Sequence, residues 1–190
     1  MASEVGPQLQ TVVRVALGLI FLLSATAKLR DPTRFVRAVL DYALLRGSLA
    51  RLYGRMLPFV ELGTALLLLS GFFLPIAAAL AMLMLTSFAI AITAVTVQGR
   101  ELGCHCFGEA STSHIGWHSL VRDLLLLLPV MWLLATGMNT NDGMLAWLRA
   151  GMGSSVATIA LAALFALAYW LVVQWLDVLA SLVRPRSEIA

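Results

Sequence analysis

Long apolar segments alternate with short polar ones along most of the chain. A helix needs about 20 apolar residues to cross a bilayer, because lipid offers no hydrogen-bond partner to an open backbone. The run from 57 to 97 carries a single charge, Glu61, and is long enough for two crossings, with Gly71 and Pro75 at the turn between them. The pattern predicts five membrane-spanning helices, at about 12–29, 57–74, 76–97, 117–137 and 156–182.

The polar segment after the first predicted span has a helical pattern of its own. Asp31-Pro32 places a capping side chain before a proline at the first helical position, and we interpret Gly47 as the stop signal. One side of this segment is apolar and the other is charged: Phe35, Val36, Val39, Leu40 and Leu44 against Arg34, Arg37 and Asp41. The pattern predicts an amphipathic helix over about 32–46, which either lies along the membrane surface or folds over the helix bundle as a lid.

The composition agrees with a membrane environment and excludes several classes of protein. Of the 190 residues, 61% are hydrophobic and only 12% are charged, whereas soluble domains carry about 25% charged residues. Two cysteines are too few for a disulfide-rich secreted scaffold, and the net charge of +3 arises from arginines in one loop. We therefore expect an all-α polytopic membrane bundle, a single integral domain over 1–190, that contacts the lipid bilayer and binds no nucleic acid.

The two cysteines lie one residue apart, in the predicted loop between the third and fourth spans, as Cys104-His105-Cys106. A Cys-x-Cys pair can close a small, strained disulfide ring, and strain makes a disulfide easier to reduce. A protonated His105 beside the pair would stabilise a thiolate. The motif favours a redox-active pair over inert thiols, with Cys104 and Cys106 as the catalytic residues of a thiol–disulfide oxidoreductase.

Metal binding is an alternative use of the same loop. His114 and His118 are four residues apart, so they would share one face of a helix, and with Cys104 and Cys106 they form a set suited to zinc or copper. One intervening residue is tight for two cysteines on one ion. His118 also lies beside Trp117, where a polar residue at the membrane interface needs no special role. A metal-binding membrane scaffold is thus the second hypothesis, and a non-catalytic membrane anchor subunit is the third.

Charged residues near the ends of the predicted spans fall on the same side of the membrane as the cysteines. Lys28 ends the first span, Glu61 lies inside the second, and Arg122 lies near the start of the fourth. An unpaired charge inside an apolar span is costly, so we expect Glu61 to pair with Lys28 or Arg122. These residues form either a structural ion pair or a pocket behind the cysteines, modulated by His105 and His118, that handles protons or accommodates a quinone as electron acceptor. No motif indicates another cofactor.

Several of these motifs form an ordered set along the chain: Ser24-Ala25-Thr26-Ala27-Lys28-Leu29, Asp31-Pro32 with Phe35 and Tyr42, Leu57-Pro58 with Glu61-Leu62, Cys104-x-Cys106-Phe107-Gly108, and Trp117 with Arg122. In this order the chain resembles the MauE branch of the DoxX-like membrane proteins, over about residues 11–137. The Cys-x-Cys-Phe-Gly motif is the most specific part of the resemblance. His105 departs from the small residue expected between the cysteines in this family, which keeps metal binding open.

The resemblance implies a four-helix bundle with a fifth transmembrane helix, associated with extracytoplasmic thiol–disulfide chemistry. In methylamine utilisation, such a protein assists maturation of the disulfide-rich subunit of methylamine dehydrogenase. The partner would be a thioredoxin-like or exported thiol protein. Because the chain has only two cysteines, electrons would pass directly between this pair and a partner protein or a small carrier. The implied location is a bacterial plasma membrane.

The charge distribution disagrees with an extracytoplasmic position for the cysteines. Eleven of the 13 Lys and Arg residues fall on the predicted cysteine side, and only Arg14 and Arg149 fall on the other. The positive-inside rule would place the cysteine side in the cytoplasm, whereas disulfides persist outside it. Arg34, Arg37 and Arg46 belong to the predicted lid helix and could pack on the protein, which weakens the count. We therefore expect the cysteine side to be extracytoplasmic, and Arg14 to extend toward the opposite interface.

Overall fold

The computed structural model describes residues 2–98 and 117–137, together with 156, 160–164, 166–169 and 171. The helices are α1 (Ala2–Arg30), α2 (Pro32–Asp41), α3 (Gly47–Ser70), α4 (Leu74–Val97), α5 (Trp117–Gly137) and a shorter apolar α6 (Ala160–Tyr169). Over these described residues there is no strand, so the all-helical class is confirmed. Three helices are long and apolar enough to cross a membrane, namely α1 over Gln8–Arg30, α3 and α4. Most of the predicted fifth span, 156–182, lies outside the described residues.

The helices pack in neighbouring pairs around one apolar core. The first helix lies against α3, α4 lies against α5, and α3 and α4 form an antiparallel hairpin. Side chains from all six described helices contribute to the core, among them Phe21, Phe35, Leu68, Met84, Leu133 and Ala166. Close approach of the helices depends on small residues, since membrane helices associate through van der Waals packing rather than through exclusion of water. Ala77, Ala78 and Ala81 of α4 are accordingly almost fully buried.

The turn between α3 and α4 is built as the sequence predicts. The third helix ends at Ser70, and Gly71 takes φ 76° in the left-handed region, where its N–H donates to the Leu67 carbonyl at 2.9 Å. A glycine suits this position because it has no Cβ to oppose a positive φ. Pro75 lies in the first turn of α4, where its missing N–H leaves no helical hydrogen bond unmade. The predicted second span therefore ends four residues before 74.

The start of α2 also follows the prediction. Asp31 is its N-cap, and the carboxylate accepts hydrogen bonds from the Arg34 backbone N–H at 3.0 Å and from the Thr33 hydroxyl at 2.8 Å. Pro32 is the first helical residue. These two bonds stabilise the charged form, and they hold the pKa of Asp31 below its ordinary value. Asp31 thus fixes the point at which the chain leaves α1 and turns into α2.

The end of α2 and the start of α3 differ from the prediction. The lid helix ends at Asp41 rather than at 46, because Ala43 takes φ 53° in the left-handed region and cannot continue a helix. Gly47, interpreted as the stop of α2, is instead the first residue of α3, which begins ten residues before the predicted start at 57. Pro58 therefore lies inside a helix. Membrane helices tolerate such a proline when neighbouring groups satisfy the freed backbone carbonyl.

The amphipathic helix α2 packs on α3, which agrees with a lid over the helix bundle. Phe35 on its apolar side is 7% exposed, whereas Arg34 and Arg37 on the other side are exposed. The contact is close because α3 presents Gly54 to it. A Cβ at Gly54 would lie 3.2 Å from the Val36 Cα, which is tighter than ordinary packing. The apolar side of α2 is thus held against the protein at the end of the bundle that carries Lys28.

Candidate functional site

A buried ion pair joins α1 to α3. The Lys28 Nζ lies 2.8 Å from Glu61 Oε1 and 2.6 Å from Glu61 Oε2, and the side chains are 1% and 3% exposed. The same ammonium donates to the Ser24 hydroxyl at 2.8 Å, one helical turn earlier on α1. An ammonium group has three protons to donate. All three are therefore used inside the protein, so Lys28 is fully satisfied without water.

Two aromatic rings complete the surroundings of Lys28. Its Nζ lies 5.5 Å from the centre of the Phe35 ring and 5.1 Å from the centre of the Phe88 ring. The negative faces of aromatic rings attract a cation within about 6 Å. Phe35 comes from α2 and Phe88 from α4, whereas Ser24 and Glu61 come from α1 and α3. One ammonium group thus makes contacts with side chains of four helices.

The energetics of this arrangement make the pair a fixed point of the fold. Moving a charge out of water costs several kcal/mol even after the protein relaxes, so a buried pair is weak evidence of stability by itself. Its geometry nevertheless matters, because neither Lys28 nor Glu61 can move away without leaving the other charge buried and unpaired. The helices α1 and α3 are therefore held in one register at this level.

The fifth helix adds two further charged side chains to the site. Arg122 and Asp123 are 7% and 5% exposed, and they line a cavity of about 30 Å³ together with Ser24, Lys28 and Glu61. The remaining wall is apolar and includes Phe88. A cavity of this size holds a water molecule, which could bridge neighbouring polar groups. The site therefore combines two cations and two carboxylates around a space the size of one water.

The structure brings together three of the residues that the sequence singles out, Lys28, Glu61 and Arg122. Lys28, one of the two expected partners of Glu61, binds it as an ion pair. Cys104, His105, Cys106 and His114 lie outside the described residues, and His118 lies in the first turn of α5 without a described side chain. Within the described part of the chain, no group of three His, Cys, Asp or Glu side chains is placed to hold a metal ion.

Sequence reasoning missed the direct roles of Ser24, Phe35 and Phe88. A signal for Ser24 was available, because residues four apart share a helix face and Ser24 precedes Lys28 by four. Phe35 was predicted on the apolar side of the lid but not as a neighbour of Lys28. Nothing in the sequence distinguishes Phe88, since α4 is apolar on all sides and its pattern does not indicate which side meets α1.

Arg14 lies at the other end of the bundle, about 21 Å along α1 from Lys28 at 1.5 Å per residue. Its side chain is 4% exposed, and its guanidinium packs directly against Gly71 of the turn between α3 and α4. The prediction that Arg14 extends toward the interface is therefore wrong. The physical reason is the absence of a Cβ at Gly71, since the guanidinium occupies the space that a Cβ would need. Arg14 is a packing element of the turn and not part of the Lys28 site.

The polar side chains of the described site are charged groups and one hydroxyl, and none of the side chains described there is redox-active. Glu61 and Asp123 are carboxylates, and Lys28 is their cationic neighbour across the small cavity. The site lies beneath the ends of α4 and α5. Ile92 and Arg122, which line it, are each five residues from the described end of their helix, or about 8 Å. Segment 99–116, which contains both cysteines, starts and finishes at those two ends.

The comparisons with known proteins agree with one another. The family described as "Methylamine utilisation protein MauE" matches residues 7–136. A "Methylamine utilization protein MauE" of Paracoccus denitrificans is 30% identical over 63% of this chain and 65% of its own length. Proteins of the same description from Methylophilus methylotrophus and Methylorubrum extorquens are 35% and 31% identical, over 63% and 70% of this chain and 64% and 74% of their own lengths. No solved structure matches the chain.

The matched region includes the whole candidate site. Lys28, Glu61, Arg122 and both cysteines fall between residues 7 and 136. The alignment spans slightly less than two thirds of the first two relatives' own length. The match extends over most of this chain, and the described helices include three that can cross a bilayer. The chain therefore belongs to the MauE family of methylamine utilisation proteins, as a multi-pass membrane protein.

Proposed function

We propose that this protein is a membrane thiol–disulfide redox protein in which Cys104 and Cys106 exchange a disulfide with an exported or thioredoxin-like partner. The observation that carries the proposal is the position of the buried charged site. It lies about 8 Å beneath the two helix ends between which segment 99–116 runs. The relatives are named methylamine utilisation proteins, and we propose that the role of this chain is to support disulfide formation in exported proteins of that process.

The exchange is a direct transfer between two pairs of sulfur atoms. A partner thiolate attacks the disulfide of Cys104 and Cys106, and one of the two sulfurs leaves as a thiolate. The partner's second thiolate then breaks the mixed disulfide, so the partner gains a disulfide and this chain becomes a dithiol. Each cycle leaves two electrons and two protons on this chain. A bilayer-soluble quinone can accept both, becoming a hydroquinone while the Cys104–Cys106 disulfide forms again.

The charged site supports this chemistry by position rather than by contact. A rigid helix junction beneath segment 99–116 would keep the two ends of that segment at a constant separation. The carboxylates of Glu61 and Asp123 could also accept protons released as thiols become disulfides. Lys28, Glu61 and Arg122 are thus proposed as positioning and proton-handling residues. His105 and His118 are proposed to modulate the thiolates, and only Cys104 and Cys106 are proposed as catalytic.

The test is to trap the intermediate. A Cys106→Ser chain should accumulate a mixed disulfide between Cys104 and the partner in intact cells, visible as a larger band on a non-reducing gel that disappears on reduction. The Cys104→Ser/Cys106→Ser chain is the matched control and should give no such band. Permanently reduced thiols in cells would contradict the redox function. Full activity of the double variant would instead indicate a non-catalytic anchor.

Metal content provides an independent discriminator. A stoichiometric zinc or copper ion in the purified protein, lost in a His114→Ala variant, would favour a metal-binding scaffold that uses Cys104, Cys106, His114 and His118. The redox proposal predicts no stoichiometric metal and an unchanged mixed disulfide in His114→Ala.

The side of the membrane on which the cysteines lie is tested by a membrane-impermeant maleimide. We expect it to label the reduced Cys104 and Cys106 from the extracytoplasmic side, and labelling only after the membrane is broken would contradict that orientation.

A further inference from the structure

A second cavity, of about 380 Å³, lies beneath the lid helix α2. It is bounded by α2, by the linker after it, by Tyr53 of α3 and by residues 87, 88, 90 and 91 of α4. Its volume lies within the range of small-molecule sites, about 300–1,000 Å³, and its lining is mostly apolar, as in such sites. Four aromatic side chains contribute to the wall, namely Phe35, Tyr42, Tyr53 and Phe88.

Two of these rings separate the cavity from the charged site. Phe88 lines both spaces, and Phe35 and Phe88 are the rings that lie 5.5 Å and 5.1 Å from the Lys28 Nζ. A molecule in the cavity would therefore be one aromatic ring away from the Lys28–Glu61 pair. The lid helix, the ion pair and the cavity thus form one continuous region of the bundle.

The mostly apolar wall contains a hydrogen-bonded pair of hydroxyl groups. The Tyr53 hydroxyl lies 2.9 Å from Ser87 Oγ, and the Ser87 hydroxyl donates to the Met84 carbonyl at 2.7 Å. Since Ser87 has one proton and uses it on Met84, Tyr53 donates to Ser87 in this pair. The phenol oxygen then keeps lone pairs that can accept a hydrogen bond. The cavity therefore offers a hydroxyl acceptor among aromatic and aliphatic groups.

The cavity is bordered by residues that face outward from the bundle. Leu44, Leu45 and Ile90 line it and are 43%, 45% and 63% exposed. Ile90 belongs to α4, one of the three helices able to cross a membrane. A ligand that dissolves in the bilayer can reach such an opening without passing through water. A charged solute would have to leave water and gain no ionic partner among the lining residues.

We infer that this cavity binds the ring of a bilayer-soluble quinone, which rests on the proposed function because that function needs a two-electron acceptor. A planar ring matches aromatic walls through stacked and edge-to-face contacts. A hydroquinone hydroxyl can donate to the Tyr53 oxygen, and a quinone carbonyl can accept from the same group after rotation of its proton. A saturated acyl chain would fill the apolar space but would make no hydrogen bond to the Tyr53 oxygen.

The test is a binding measurement with the full chain in nanodiscs of saturated phosphatidylcholine. A short-tailed ubiquinone analogue, titrated calorimetrically, should bind at one site per chain. Ala91→Trp places a large side chain in the cavity and should weaken binding about tenfold or more. Ala79→Trp on the exposed side of the same helix is the matched control and should bind normally. Equal affinities in the two variants would overturn the inference.

If circular dichroism shows that Ala91→Trp does not fold, a second variant still tests the inference. Tyr53→Phe preserves the ring and removes only the hydroxyl, so binding should weaken by about threefold to tenfold. Unchanged affinity in Tyr53→Phe would overturn the inference, and a retained phospholipid with no quinone binding would assign the cavity to an acyl chain instead. Cys104→Ser/Cys106→Ser should bind the analogue as the wild type does. The experiments can therefore contradict quinone binding in the cavity and the redox function of the cysteine pair independently of each other.

Discussion

The Lys28 ammonium donates to both carboxylate oxygens of Glu61, at 2.8 Å and 2.6 Å, although the two residues are 33 positions apart in the chain. Both side chains are almost completely buried. Together with Ser24 on its own helix, and with rings from α2 and α4 within 5.5 Å, this contact makes Lys28 the point at which four helices meet. The site is thus part of the packing of the bundle and not an addition to its surface.

Removing one member of this pair should destabilise the protein more than removing both. Lys28→Met or Glu61→Leu alone leaves a buried charge without its partner, and we expect each to lower the free energy of unfolding by about 3–5 kcal/mol. The double variant replaces two charges with apolar groups and should recover most of that loss. Denaturant unfolding of the wild type, the two single variants and the double variant in detergent measures these free energies of unfolding. Additive losses in the double variant would contradict the coupling.

The cost of burying a charge is what made this pair predictable from the sequence. A single carboxylate inside a 41-residue apolar run needs a cation, and few cations are available at that depth. The same reasoning cannot find Phe88. Its helix is apolar throughout, so the side that meets α1 is chosen by packing with other helices and not by any local pattern.

Some helix ends are likewise predictable from the sequence, and others are not. Gly71 and Pro75 were identified correctly because a left-handed cap and a first-turn proline are properties of a few neighbouring residues. Gly47 was misinterpreted because a glycine beside a helix can follow one or begin the next. The lid helix is stopped by Ala43, which lies in the linker between Asp41 and Gly47 and has a positive φ. Alanine has no preference for a positive φ, so the sequence does not indicate this stop. The end of the lid helix is therefore not predictable from the residues around it.

Contact between the lid helix α2 and the bundle should depend on the absence of a side chain at Gly54 of α3. A Cβ at Gly54 would lie 3.2 Å from the Val36 Cα, whereas a Cβ at Gly63 of the same helix has nothing within 4 Å. Gly54→Val should therefore push α2 away and destabilise the protein by about 1–3 kcal/mol. Gly63→Val, as the matched control, should change stability little. Thermal unfolding in detergent compares the two, and an equal effect would show that the loss of glycine, not the lid contact, is responsible.

The turn between α3 and α4 should be intolerant of any side chain at Gly71. Alanine there must adopt φ 76°, at a cost of about 1–2 kcal/mol, and its Cβ would also overlap the Arg14 guanidinium. We expect Gly71→Ala to cost more than the strain alone, and to cost less in an Arg14→Ala background, where only the strain remains. Gly47→Ala, with open space around it, is the control. The same loss in both backgrounds would contradict a contact between Arg14 and the turn.

Acid should loosen the lid helix through its N-cap. The Asp31 carboxylate accepts bonds from the Arg34 N–H and the Thr33 hydroxyl, and these lower its pKa in the folded protein. A lowered folded pKa means that Asp31 contributes stability above the unfolded value of about 4, and that this contribution is lost as the pH falls through the folded value.

Asp31→Asn isolates this effect, because asparagine keeps a capping oxygen but does not titrate. The wild type should unfold at a higher temperature than Asp31→Asn at pH 7 and pH 5, and the difference should shrink by about pH 3. Other carboxylates titrate in both proteins, so their effects on the unfolding temperature cancel in the comparison. A difference that stays constant from pH 7 to pH 3 would mean that the charge of Asp31 does not stabilise the start of α2, and that the cap acts through its hydrogen-bond geometry alone.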